Sequence, residues 1–332
     1  MSAAIAFGKG FRGAFGKGMK DSPFRPEIQF EDGTSVEEAA ERGGLDFTIA
    51  QTPSLFMRKG TLHASGQKTL FREDNGMFIS SMSEGYKVVQ PMEILETHRS
   101  FLDVGGYHPR AAGTFKGGAR FWSMAEGHGE LELAGGDKVK SYLFMASAAD
   151  GSSATYALGT NMRMHCWNQA PSIIAEAKQN GKFIRVTHSQ VFDAEDARVR
   201  IMSNDENFKL WAEDARMLSN ERMSIAAALE YFGDVIGIEE EEEDKHTRLD
   251  AIADNKRAKL MMDLFAGQGM GSTLASAKGT VWGAYNAVTE YVDHHANNQT
   301  GESRLMSATM GQGLRLKLVA WERAMQLAGR TV

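Results

Sequence analysis

The chain has 332 residues, with 37 Lys and Arg against 43 Asp and Glu for a net charge of −6, and 42% hydrophobic residues, as in ordinary globular proteins. Its one cysteine, Cys166, excludes an internal disulfide framework and a multi-cysteine zinc site. The longest apolar runs, such as 142–146, are far too short to span a membrane, so a cytoplasmic protein without a membrane partner is expected.

The charge is uneven. Lys9, Arg12, Lys17, Lys20 and Arg25 face only Asp21 across residues 1–26, whereas residues 191–332 carry 16 basic and 23 acidic side chains. In the opening stretch Phe7, Phe11 and Phe15 alternate with glycines and with Lys9, Arg12, Lys17 and Lys20. Glycine costs about 1 kcal/mol relative to alanine at each helical site, and there is no continuous apolar core for a signal peptide. Residues 1–30 are therefore expected to be a flexible basic arm.

Thr34 or Ser35 caps a short predicted helix ending near Arg42, with Glu37 and Glu38 in its first turn. From about 76 to 190 the pattern is strand-like, with segments at 77–81, 87–90, 120–124, 139–145 and 183–187 set off by glycine pairs. Helices are predicted at 91–105 and after Asn168. Beyond Ala194 the spacing of Phe208, Trp211, Ala215 and Leu218 becomes helical, and one long helix is predicted to run to Gly233. The acidic run Glu239–Asp244 reads as an exposed joint, with more helices at 247–266, 279–296 and 303–328. Strands followed by helices predict an α+β fold: an N-terminal β-rich half with a mainly antiparallel or mixed sheet, then a helical C-terminal part. The expected division is an arm (1–30), a β-rich core (31–192) and a helical region packed on it (193–332).

Three clusters are candidate sites. Cations and rings spaced along the arm suit phosphates and unstacked bases. Asn161, Arg163 and His165 alternate onto one strand face, an expected anion-binding surface, while Met162, Met164 and Cys166 take the other. A lone strand cysteine is expected in the core. Glu290 and His294 lie four apart on a helix, but no recognised metal spacing accompanies them. Trp282 and Tyr285 are spaced for packing. No Rossmann or P-loop glycine pattern follows a strand.

Several motifs occur together in order: Gly85–Gln90, Gly117–Trp122, Asp150–Ser153, Asn161–Asn168, His188-Ser189 and Gly279–His294. With these the chain resembles, over about 30–329, the phage/plasmid-like proteins of domain-of-unknown-function family nine-three-two. The resemblance carries over no catalytic residues. It implies a setting of prophages and plasmids and of DNA maintenance or recombination. The expected function is a non-enzymatic single-stranded DNA-binding or strand-annealing protein, a homo-oligomer needing no cofactor or metal. Phe7, Phe11 and Phe15 would stack bases, Lys9, Arg12, Lys17 and Lys20 would neutralise phosphates, and Arg120 and Arg163 would extend the positive track. The alternatives are an enzyme using the polar cluster at 150–168 and a protein-interaction factor that counters a host defence.

Overall fold

A computed structural model of the chain describes residues 5–6, 12–15, 34–97, 108–163, 169–170, 184–186, 204–238, 245–296, 307–308 and 311–330. The expected α+β layout is present, with antiparallel strand pairs first and helices after them. The chain divides into two compact units: residues 1–128, 142–159 and 177–204, and residues 129–141, 160–176 and 205–332. This division does not follow chain order as expected. The reason lies in strands that greatly exceed the usual length of about five to six residues, so that one strand supplies residues to both cores.

In the first unit, helix α1 (Val36–Gly43) starts where the Ser35 hydroxyl accepts the Glu38 N–H at 3.0 Å. Glu37 and Glu38 sit at its positive end, and Gly44, at φ 70°, stops it by giving its N–H to Ala40 and Glu41 carbonyls. Val36, Ala39 and Ala40 then pack with Leu45, Phe47, Ile79, Ile94, Leu95, Phe121, Leu143 and Met145 in one apolar core. Gly43 is required at close quarters, because a Cβ there would lie 3.0 Å from that of Ala112.

The large sheet contains β1 (Ile5–Ala6), β2 (Arg12–Phe15), β6 (His108–Phe115), β7 (Arg120–Leu133), β8 (Asp137–Ala148), β9 (Thr155–Arg163) and β10 (Gln169–Ala170) in that order, with β11 (Ile184–Val186) also on β9. Two pieces of the expected flexible arm are thus strands, and Arg12–Phe15 pairs antiparallel with 111–114. Glycine disfavours a helix, but it does not prevent an extended backbone from hydrogen-bonding to an open sheet edge. A separate sheet is built from β3 (Ile49–Arg58), β4 (Thr61–Arg72) and β5 (Phe78–Ser83). The strand expected at 87–90 is absent. Gln90 instead accepts the Ile49 N–H at 2.8 Å and donates to the Ile49 carbonyl at 3.1 Å, so its amide side chain serves the sheet edge as a backbone would.

In the second unit, Leu131, Leu133 and Val139 share a core with the helices α2 (Asn204–Asn220), α3 (Ile225–Ile236), α4 (Lys245–Asp254), α5 (Lys256–Asp263), α6 (Val281–Glu290) and α7 (Gln312–Leu327). Trp211 lies at its centre, edge-on to Trp282 at 5.8 Å and stacked on Trp321 at 6.0 Å between ring centroids. The single helix expected to end at Gly233 is two helices. Ser224 caps the second by accepting the Ala227 N–H at 3.1 Å, and the helix runs on to Gly237. Ser224→Ala is expected to lower stability by about 1 kcal/mol in a urea melt, the usual value of such a cap. Asn255 likewise caps α5 and breaks the helix expected at 247–266. The runs Glu239–Asp244 and Cys166–Asn168 lie outside the described residues.

Candidate nucleic-acid interface

Phe7, Lys9, Phe11, Lys17 and Lys20 lie outside the described residues, while Arg12 and Phe15 begin and end β2. The two arginines expected to extend the positive track are both engaged by carboxylates. Arg120, with 18% of its side chain exposed, bonds through Nε to Asp150 at 2.9 Å. Burial works to raise the Asp150 pKa, but the Ser152 hydroxyl and N–H and the Arg120 guanidinium outweigh it and hold the carboxyl below its usual value.

Arg163 is more deeply committed. Its side chain is 2% exposed, and its Nε lies 2.6 Å from Asp137, whose carboxylate is fully buried. The other Asp137 oxygen accepts the Ser276 hydroxyl at 2.6 Å and the Trp282 indole N–H at 3.2 Å. Arg163 also donates to the Gly271 carbonyl at 2.9 Å, and Glu290 accepts the Met270 N–H at 2.9 Å. This network ties the strand residues Asp137 and Arg163 to the 269–276 loop and α6, and its donors are spent on protein acceptors. Asn161 is buried as well. Asn161 and Arg163 of the expected anion-binding face therefore belong to a structural centre, while His165 lies outside the described residues. Strand alternation groups Asn161 with Arg163 and sets Met162 opposite them, but it cannot tell that both faces will be covered, as they are here.

An exposed cation-bearing surface forms elsewhere, on the β3–β4 hairpin, a segment sequence patterning missed. Lys59 and Gly60 form its two-residue turn at φ 48° and 78°, the pair of positive φ values of a type I′ turn. Lysine is a poor signal for such a turn, whereas Asn-Gly would have announced it. Pairing shifts between Pro53 and Leu55, where Gly66 has φ 71° and the Ser65 hydroxyl bonds the Ser54 carbonyl at 2.9 Å. This bulge sets off an outer ribbon, residues 55–64, that is exposed throughout.

The ribbon has two unlike faces, because residues directly opposite in a ladder share a side. Phe56 pairs with His63 and Arg58 with Thr61 on one face, and the Phe56 and His63 rings stack at 5.5 Å. Leu55 pairs with Ala64 and Met57 with Leu62 on the other. Residues 47–72 contain Arg58, Lys59, Lys68 and Arg72 and no acid. Arg72 is paired with Asp74 at 2.6 Å and Lys68 bonds the Tyr86 carbonyl at 2.7 Å. Arg58 and Lys59, at the exposed tip, have no acidic partner among the described residues.

In the second unit, Arg257, Tyr291, Gln312, Arg315 and Leu316 line an open cleft of about 320 Å³. Among the described residues no group of three His, Cys, Asp or Glu side chains converges to hold a metal, and no helix is long and apolar enough to cross a membrane.

No curated protein and no solved structure matches the chain. The family model for a domain of unknown function, DUF932, matches residues 78–311, a narrower span than the resemblance over 30–329, and it leaves the hairpin outside the match. That span holds the Arg120–Asp150 pair, the Arg163–Asp137 centre and α6, and by it the chain belongs to the DUF932 family.

Proposed function

We propose that the protein binds single-stranded DNA, as a binding or strand-annealing protein of phage or plasmid recombination or replication in the bacterial cytoplasm, and that the outer ribbon 55–64 is a contact surface. One observation carries this reading: in a chain of net charge −6, an acid-free hairpin exposes a stacked Phe56–His63 pair beside the tip cations Arg58 and Lys59. Ring faces accept any unstacked base, and the cations neutralise adjoining phosphates. Duplex DNA keeps its bases stacked and offers the rings nothing. The setting rests on the family resemblance, and the arm residues Phe7, Lys9, Phe11, Arg12, Phe15, Lys17 and Lys20 remain part of the proposed surface. Arg120 and Arg163 do not.

The test is a salt titration of binding to single- and double-stranded oligonucleotides. Phe56→Ala should weaken single-strand binding about 5- to 160-fold, since a stacked base contributes about 1–3 kcal/mol. Arg58→Ala with Lys59→Ala should flatten the log–log salt slope by about 1.4, at about 0.7 per phosphate neutralised. Deleting residues 1–20 tests the arm separately by the same slope. Unchanged affinity and slope in the ribbon variants would remove the ribbon from the site.

A further inference from the structure

The cleft of the second unit, about 320 Å³ in volume, is shaped by three elements. Arg257 reaches it from α5. Tyr291 and Val292 belong to a π turn, Tyr291–His295, that continues α6, a rare backbone form that recurs at functional sites. Gln312, Arg315, Leu316 and Val319 fall at helical spacing on one face of α7, while Ala320, Trp321 and Ala324 carry another face into the core. The walls are fastened to each other from behind. Asp293 of the π turn accepts a bond from the buried Lys317 of α7, and the Ser307 hydroxyl accepts the Gly313 N–H at 3.2 Å. We propose that this cleft binds a nucleoside monophosphate.

The charge of the cleft selects the phosphate. Arg257 and Arg315 are exposed, have no acidic partner among the described residues, and share a lining that contains no acid. They differ in this from Arg120, Arg163 and Lys317, whose charges are answered by Asp150, Asp137 and Asp293. The positive end of α7 opens on the same space: its first residues, Gln312 and Gly313, are in the lining, and its N-cap, Gly311, has no side chain to cap it. Two guanidinium groups and a helix end suit a phosphate monoester, with a charge of about −1.5 to −2 at pH 7, better than a single carboxylate. Burial raises the Tyr291 phenol above its usual value against the charge of Arg257. The phenol is therefore protonated at neutral pH and joins Gln312 and Ser307 as a neutral donor.

The rest of the lining selects the body of the ligand. Val292, Leu316 and Val319 are aliphatic, and Tyr291 adds a ring. A sugar phosphate would set several hydroxyls against these side chains without partners, whereas a flat base packs on them by its faces. The volume is at the low end of the about 300–1,000 Å³ usual for small-molecule sites, which fits one nucleotide and no more. The same terminal phosphate, sugar and base are offered by a free nucleotide and by the 5′ end of a strand. Neither arginine belongs to the surface proposed for DNA, so the two readings stand or fall separately.

Calorimetric titration of the full-length protein with dTMP and dAMP tests the site, with their nucleosides and inorganic phosphate as the separate halves. The proteins compared are wild type, Arg257→Gln, Arg315→Gln and Lys259→Gln; Lys259 is an exposed cation of α5 outside the lining. Wild type should bind at least one of the two nucleotides, and its halves at least tenfold more weakly. Each arginine variant should melt as wild type does and lose about 12- to 160-fold in nucleotide affinity, the usual worth of a hydrogen bond to a charged group. Lys259→Gln removes the same charge and should bind as wild type. Oligo-dT of four nucleotides, with a 5′-phosphate or a 5′-hydroxyl, then competes with the bound nucleotide. Displacement by the phosphorylated strand alone assigns the site to strand ends, and displacement by neither assigns it to the free nucleotide. The proposal is overturned if neither nucleotide binds wild type, if both arginine variants bind as wild type, if Lys259→Gln loses as much as they do, or if both oligonucleotides displace the nucleotide alike.

Discussion

Arg163→Ala is expected to cost about 3–5 kcal/mol of stability, the usual loss when one partner of a buried ion pair is removed. The Asp137 carboxylate is fully buried, and without the guanidinium it keeps, among the described residues, the Ser276 hydroxyl and the Trp282 indole as side-chain donors. The Gly271 carbonyl loses its donor in the same step. A urea melt reads the loss directly. Converting the pair together, as Arg163→Met with Asp137→Asn, should cost less than the sum of the single changes, because neither charge is then left alone in the core. Single-strand binding by the folded fraction of Arg163→Ala should match wild type. Normal stability with lost binding would return Arg163 to the site.

The second large effect is a dependence of stability on pH through Glu290. Its side chain is 5% exposed, and burial raises its pKa from 4.5 to about 7. The Met270 N–H and Arg163 oppose the rise and Asp293 adds to it, and His295 lies 3.7 Å away. The folded state thus holds a proton that the unfolded state has released between about pH 4.5 and 7. The contribution is full below the unfolded value and is lost as pH rises through the folded one, by up to about 3 kcal/mol at about 1.4 kcal/mol per unit. Glu290→Gln removes the ionisation, so its urea midpoint should match wild type near pH 5, exceed it near pH 8 and vary less between. Parallel curves would exclude Glu290 as the titrating group. Asp150 acts in the opposite direction and in another window. Its pKa is held below 3.8, so its contribution is present above that value and is lost as pH falls through the lower, folded one.

The ribbon and the Arg163 centre show how differently site residues can be read from sequence. Arg163 stood out because polar residues crowd 150–168, yet such crowding marks a buried network as readily as a binding face. Phe56, Arg58 and Lys59 were overlooked because the Lys59-Gly60 turn and the bulge at Ser54 obscure the strand alternation that reveals a hairpin. The useful signal was the absence of acid from 47 to 72 in an acidic chain. Asp46, Glu73 and Asp74 flank the stretch and hide it in the charge of any longer window.

By itself the sequence determined the elements whose signals are local. Ser35, Glu37, Glu38 and Gly44 specify α1 through capping and backbone conformation, and the periodicity around Trp211 and Trp282 specifies helices with buried faces. It also determined the α+β order and, through motifs over most of the chain, the family. Only the tertiary structure decided that both faces of β9 are covered at 160–163, that Asp137 is the partner of Arg163, and that strand residues join the helical core. Each of these pairs residues far apart in sequence, and their energies depend on burial, which no local pattern encodes. The exposed ribbon belongs with them, because a hairpin edge becomes a surface only where the rest of the fold leaves it uncovered.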